Sequence, residues 1–187
     1  SFHTHRNKLD RPAVFPEKSK VMSLFTIQSD YRYEILKLIY EGTMGAVYEA
    51  EQHGARDFVK NIAIKIIRPS FAGQNQFIDN FIAEAKLLAD LIHTNLVQTY
   101  HLGESSRLLY ARLGASTTNL NRYLTPGQQV YFMAMEFIRG VNLEQFCKMM
   151  QIRKQTLPLD LAVFIVSRVV RGLSYAHSKC SKSGEPL

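Results

Sequence analysis

Lys65 and Glu84 are the two side chains whose types and setting suggest joint chemistry. Lys65 stands mid-strand in Ile62-Ala63-Ile64-Lys65. Strand alternation places Ala63 and Lys65 on one face, and a lysine on an inward face needs an anion. Glu84 follows nineteen residues later, inside the amphipathic stretch Phe81-Ile82-Ala83-Glu84-Ala85-Lys86. If that helix packs on the sheet, the carboxylate meets the ammonium. Upstream lies the turn Gly42-Thr43-Met44-Gly45, whose glycines allow backbone N–H groups to approach phosphate oxygens. Each feature alone has an ordinary reading. The turn could be a plain hairpin, Lys65 an edge lysine in solvent, and Glu84 a surface residue pairing with Lys86. Together they suggest a phosphate site. Tyr40 stands where a glycine-rich phosphate loop would carry its first glycine.

The elements that must position these residues follow from periodicity. Tyr33–Tyr40, Gly45–Glu51 and Asn61–Arg68 read as three strands in meander order, the last stopped by Pro69. Phe77, Ile78, Phe81, Ile82, Ala85, Leu88, Leu91 and Ile92 recur at three- and four-residue steps, which predicts a helix over 75–92. Leu96–Leu102 and Val130–Glu136 read as two more strands. The polar interval 105–129 between them is too long for a hairpin turn and reads as an insertion, with Leu108–Leu113 and Leu120–Leu124 as extra elements. Asn142 with Gln145 forms a capping box for a helix over 143–153, and a second helix is expected over 159–178. The fold class is α+β: a five-stranded antiparallel sheet carrying one helix, followed by two helices. The expected divisions are a basic extension over 1–28, in which Val21–Ile27 could add a short strand, a lobe over 29–138, and an exit with helices over 139–187.

Of the 187 residues, 46% are hydrophobic and 21% charged, a globular composition. The net charge of +7 would suit nucleic acid, but Lys and Arg are scattered, and no nucleic-acid partner is expected. Cys147 and Cys180 form no Cys-x-x-Cys pair, and the six His residues show no metal spacing, so no metal ligand is expected. No apolar run is long enough to span a bilayer and no signal peptide opens the chain; a cytoplasmic setting is expected.

The stretches "EGTMGAVYEA", "IAIKII", "FIAEAKLLADLIHTNLVQTYHLGE", "YFMAMEFIRGVNLEQF" and "LPLDLAVFIVSRVVRGLSYAHSK" resemble, in order and spacing, the N-terminal part of a bacterial protein Ser/Thr kinase of the eukaryotic-like family. The resemblance covers about residues 31–180, apart from the insertion, and implies a kinase N-lobe followed by the first helices of a truncated C-lobe. It implies that Gly42 and Gly45 cover the phosphates of ATP, with Tyr40 at the altered first position. Val47 and Ala63 would cap the adenine. Lys65 would touch the α- and β-phosphates, held by Glu84. Met135 would be the gatekeeper, and Glu136 and Ile138 would offer hinge backbone groups. Leu88 would join the hydrophobic stack behind the helix, with Thr99 where that stack usually has an aliphatic residue. The sequence contains no His-Arg-Asp and no Asp-Phe-Gly. The resemblance therefore implies that Mg²⁺ is used only in a full-length kinase and that this stretch alone is inactive. A pseudokinase or scaffold lobe that binds nucleotide or a partner without catalysis is the alternative. The expected partners are ATP, a protein substrate of the full-length protein, and a second copy of the chain through the apolar face of helix 159–178, formed by Leu161, Phe164, Ile165, Val169, Leu173 and Ala176.

Overall fold

The computed structural model describes residues 23–68, 71, 74–110, 127 and 129–179. Among the described residues, seven strands form one antiparallel sheet: β1 (Phe25–Gln28), β2 (Arg32–Glu41), β3 (Gly45–His53), β4 (Val59–Ile67), β5 (Thr99–Ser105), β6 (Arg107–Tyr110) and β7 (Val130–Glu136). The helices fully described are α1 (Asn75–Ala89), α2 (Leu143–Ile152) and α3 (Leu159–Ser178). The strand order is β5-β7-β4-β3-β2-β1-β6. Five of these strands, β2 to β5 and β7, are those the periodicity predicts.

The other two strands answer two open points of the sequence. The Val21–Ile27 segment contributes β1, and the first part of the 105–129 interval contributes β6; the Leu120–Leu124 segment lies outside the described residues. Ser106 alone separates β5, at one edge of the sheet, from β6, at the other. The sheet must therefore roll until its edges nearly meet. Two hydroxyls pin that seam. Ser105 Oγ donates to the carbonyl of Gln28 at 2.6 Å and accepts from the N–H of Arg107, while Ser29 Oγ donates to the carbonyl of Glu104.

Alternation divides the sheet into two apolar surfaces. Inside the roll, Phe25, Ile27, Tyr33, Ile35, Ile62, Ile64, Phe132 and Ala134 are buried together. Each large aliphatic or aromatic side chain so buried contributes about 1.5–3 kcal/mol. On the opposite face, Met133 and Ile67 pack with Phe81 and Ala85 of α1, and Leu88, Leu102, Tyr131 and Met135 lie against them. This second layer fixes α1 over β4, β5 and β7.

The helix predicted over 75–92 ends at Ala89, so Ile92 is not on its apolar face and is 72% exposed. The strand predicted from Leu96 begins at Thr99, because residues 94–96 form a turn closed by the Leu96 N–H to His93 carbonyl bond. The capping box on α2 is present in both directions: Asn142 Oδ1 accepts from the Gln145 N–H at 2.8 Å, and Gln145 Oε1 accepts from the Asn142 N–H. Helix α3 docks onto the α1–β5 connection. Gly172 is buried where Asn95 and Leu96 approach it, and Tyr175 stacks on His93 at 4.9 Å and accepts from the Ile92 N–H. Much of the remaining apolar surface of α3, including Phe164, Val169 and Leu173, stands in solvent.

Candidate functional site

Register places the predicted site residues on one face of the sheet. Tyr40 lies opposite Val47, Val47 opposite Lys65, and Lys65 opposite Met133. Directly paired residues project to the same side, so these four form one cross-strand row. Ala63 and Met135, also directly paired, form the next row on that face. Ala63 is 6% exposed and Val47 half-buried, while Tyr40 is 64% exposed at the mouth.

Across this face, Lys65 Nζ donates to both carboxylate oxygens of Glu84, at 2.7 and 2.8 Å. The pair is partly open, the two side chains being 30% and 43% exposed. Its geometry follows from the two faces of β4. Ile62, Ile64 and Ile66 enter the roll, so Ala63 and Lys65 emerge beneath α1. Phe81 and Ala85 seat that helix, and Glu84, between them in sequence, reaches the ammonium. An ammonium has three N–H donors; Glu84 accepts from two, which leaves one for a further oxygen.

The glycine turn closes through the Gly42 N–H to Gly45 carbonyl bond at 2.9 Å. Its two glycines have different causes. A Cβ on Gly45 would stand 2.3 Å from the carbonyl oxygen of Ile66, so close backbone approach to β4 excludes any side chain there. A Cβ on Gly42 would meet Cε1 of Tyr40 at 3.0 Å, so the Tyr40 ring folds along the loop. A small cleft opens between this turn and the first half of α1, lined by Met44, Ile67, Phe71, Phe77 and Phe81 with Lys65 and Glu84 in its wall.

The structure brings together Tyr40, Gly42, Gly45, Val47, Ala63, Lys65, Glu84 and Met135. At the expected hinge, the Glu136 N–H donates to the carbonyl of Gln98 at 2.8 Å, and Ile138 is 58% exposed beyond the end of β7. Thr99 is buried, its hydroxyl 3.7 Å from the sulfur of Met133, while Leu88, on α1 itself, lies partly buried against the Phe81–Met133 layer. The aromatic wall of the cleft, Phe71 and Phe77 with ring centroids 4.6 Å apart, was not among the expected site residues. Phe77 was visible in the helical period; Phe71 lies in a connection where no period applies.

One further group could not be found from spacing. Glu34, Glu51 and His53 bring their ligand-type atoms within 4.8 Å of one another. Glu34 and Glu51 are direct cross-strand partners on β2 and β3. Like charges in that position repel, and Arg32, bonded to Glu34, offsets them.

A protein kinase domain model matches residues 33–181. Among curated proteins, the tyrosine-protein kinase MasK of Myxococcus xanthus is 25% identical over 155 residues, covering 83% of this chain and 21% of MasK. The serine/threonine-protein kinase PrkC of Bacillus subtilis is 29% identical over 148 residues, covering 78% of this chain and 18% of PrkC. Among solved structures, a point mutant of the PknI kinase domain of Mycobacterium tuberculosis superposes with a TM-score of 0.53 at 21% identity, covering 81% of this chain and 50% of that one. The chain thus spans about a fifth of the length of these curated relatives and half of the PknI chain. No helix among the described residues is long and apolar enough to cross a membrane. With a glycine turn over a Lys–Glu pair on a rolled sheet, and the family model matched along most of the chain's own 187 residues, the chain belongs to the protein kinase domain family.

Proposed function

We propose that this chain is the ATP-binding portion of a bacterial protein serine/threonine kinase of the eukaryotic-like type, the full-length protein transferring the γ-phosphoryl group of ATP to Ser or Thr hydroxyls. The observation that carries the reading is the two-oxygen Lys65–Glu84 pair beside the glycine turn. Glu84 orients the ammonium and leaves one donor for an α- or β-phosphate oxygen. Gly42 and Gly45 would expose backbone N–H groups to the phosphates. Val47 and Ala63 would cover one adenine face, with Met135 as gatekeeper behind it and Glu136 and Ile138 at its edge. The proposed divisions are an extension over 1–28, an N-lobe over 29–138 with the insertion 105–129, and C-lobe helices over 139–187. Phosphoryl transfer additionally needs a base and Mg²⁺ ligands; the resemblance assigns these to motifs not found in residues 1–187, and the chain alone is proposed to be inactive. ATP use and lone cysteines fit a cytoplasmic setting.

An NMR titration of the chain with ATP, beside a Lys65→Met variant, tests the site. Shifts at residues 42–47 and 63–65 in the wild type, lost in the variant, are expected; ATP binding that ignores Lys65 would overturn the assignment. In the full-length protein, phosphorylation of a Ser/Thr peptide that disappears with Lys65→Met is expected. The relatives include both a tyrosine and a serine/threonine kinase, so a tyrosine peptide belongs in the same assay.

The exposed ring of Tyr40 in place of the first glycine favours a second reading, a nucleotide-binding pseudokinase. Lys65-dependent phosphorylation would exclude it. Self-association through the apolar residues of α3 is a further proposal; a monomer by light scattering at high concentration would refute it.

A further inference from the structure

The glycine turn is held by more than its own closing bond. Arg68 is the first residue beyond β4, three positions after Lys65. Its backbone N–H donates to the carbonyl of Met44 at 3.0 Å, at the tip of the β2–β3 hairpin. Its guanidinium donates through Nη2 to Glu41 Oε1 at 2.9 Å, at the end of the β2 limb. One residue therefore grips both the limb and the tip of the turn, and ties them to the strand that carries the ammonium.

The consequence concerns spacing. A phosphate cradle works only if the loop N–H groups and the Lys65 ammonium stand at a fixed separation. Beyond its closing bond and the packing of Gly45 on β4, the turn has little side-chain burial to fix it, since Tyr40 and Met44 are 64% and 54% exposed. A loop left free would lose conformational freedom on closing over phosphates, and a tie made beforehand lessens that loss. The Glu41 carboxylate also neutralises the guanidinium, so the pair presents no net charge to the nucleotide.

We propose that Glu41 and Arg68 form a strut that sets the distance between the glycine turn and Lys65, acting as positioning residues rather than phosphate ligands. The proposal rests on the nucleotide reading of the cleft. It predicts a signature that separates it from general stabilisation: the strut matters only to the phosphate-bearing part of the ligand.

The test is an NMR titration of the chain with ATP and, separately, with adenosine, for wild type, Arg68→Gln, Glu41→Gln, Arg68→Lys and the exchanged pair Glu41→Arg with Arg68→Glu. Each Gln variant should weaken ATP about three- to fivefold, the upper part of the range of a partly exposed ion pair, and leave adenosine unchanged. Amide exchange at residues 42–46 should quicken. Arg68→Lys, which keeps the charge and the backbone bond, should retain most of the affinity, and the exchanged pair should recover most of the loss. If the wild type binds neither ligand, the nucleotide reading falls and the strut with it. If the wild type binds ATP and both Gln variants match it, the strut alone is wrong. Weaker ATP in Arg68→Gln with tighter ATP in Glu41→Gln would make Arg68 a direct phosphate ligand. Equal losses for ATP and adenosine would reduce the pair to a fold contact. Either result overturns the proposal.

Discussion

Replacing Gly45 by alanine should unfold this domain at a lower temperature even with no nucleotide present. The added Cβ would lie 2.3 Å from the Ile66 carbonyl oxygen, 3.2 Å from the Ile66 carbonyl carbon and 3.5 Å from Ile67 Cα. All three are main-chain atoms of β4, so no rotamer change relieves the contact. The β3 and β4 strands must part by about 1 Å at this end, which strains the ladder opposite Ile67 and the Arg68 bond to Met44. Overpacking of this kind, with weakened hydrogen bonds, costs about 2–3 kcal/mol. For a chain of this size that lowers Tm by roughly 5–10 °C. Gly42→Ala is the control. Its Cβ would meet only the far edge of the Tyr40 ring, which can swing into solvent, and the expected stability change is below about 0.5 kcal/mol. Differential scanning calorimetry without ligand reads both. The reasoning fails if Gly45→Ala melts with the wild type, or if Gly42→Ala loses as much as Gly45→Ala.

Other perturbations have equally definite outcomes. Tyr33 is fully buried, with a hydroxyl that finds no hydrogen-bond partner among the described residues, so Tyr33→Phe should hold or raise stability by up to about 1 kcal/mol in urea unfolding. Burial pushes the Tyr33 phenol well above its ordinary value, with Tyr31 and Asp30 adding to the effect. The neutral phenol is favoured in the fold, so its contribution is intact below the unfolded value near 10 and declines as pH rises past it. The alkaline loss of stability should be smaller in Tyr33→Phe, and identical profiles would contradict this. Asn142→Ala should remove the capping box of α2 at a cost of about 1 kcal/mol, seen as faster amide exchange over 143–146. Unchanged exchange would show that tertiary contacts, not the cap, hold that end.

What the sequence made legible is what short-range period determines. The isoleucine alternation of β4 announced a strand with two unlike faces, and so placed Lys65 and Ala63 together. The spacing of Phe81, Ala85 and Leu88 announced the helix that carries Glu84. The meander of β2, β3 and β4 needed only turns. The rolled closure through β1 and β6 was hidden, because it depends on pairing between residues about 80 apart, which no local pattern records. The end of α1 was hidden for a related reason. Leu91 and Ile92 continue the helical period, yet Leu91 is buried from a turn while Ile92 is exposed. The two glycines looked alike in sequence, and only the approach of Ile66 separates an obligatory glycine from a permissive one. The strut from Arg68 was likewise unreadable, since a basic residue after a strand is ordinarily solvated.

The seam at Ser106 bears on how this protein stays apart from its neighbours. An open seven-stranded sheet would offer two long rows of unpaired backbone groups to any passing extended chain. Among the described residues one border is a four-residue strand, and the other runs back toward it, fastened by the serine hydroxyls. Removing Ser105 would therefore do more than loosen a corner. It would uncover a template for strand addition, and the first symptom would be growing turbidity rather than a change in fold.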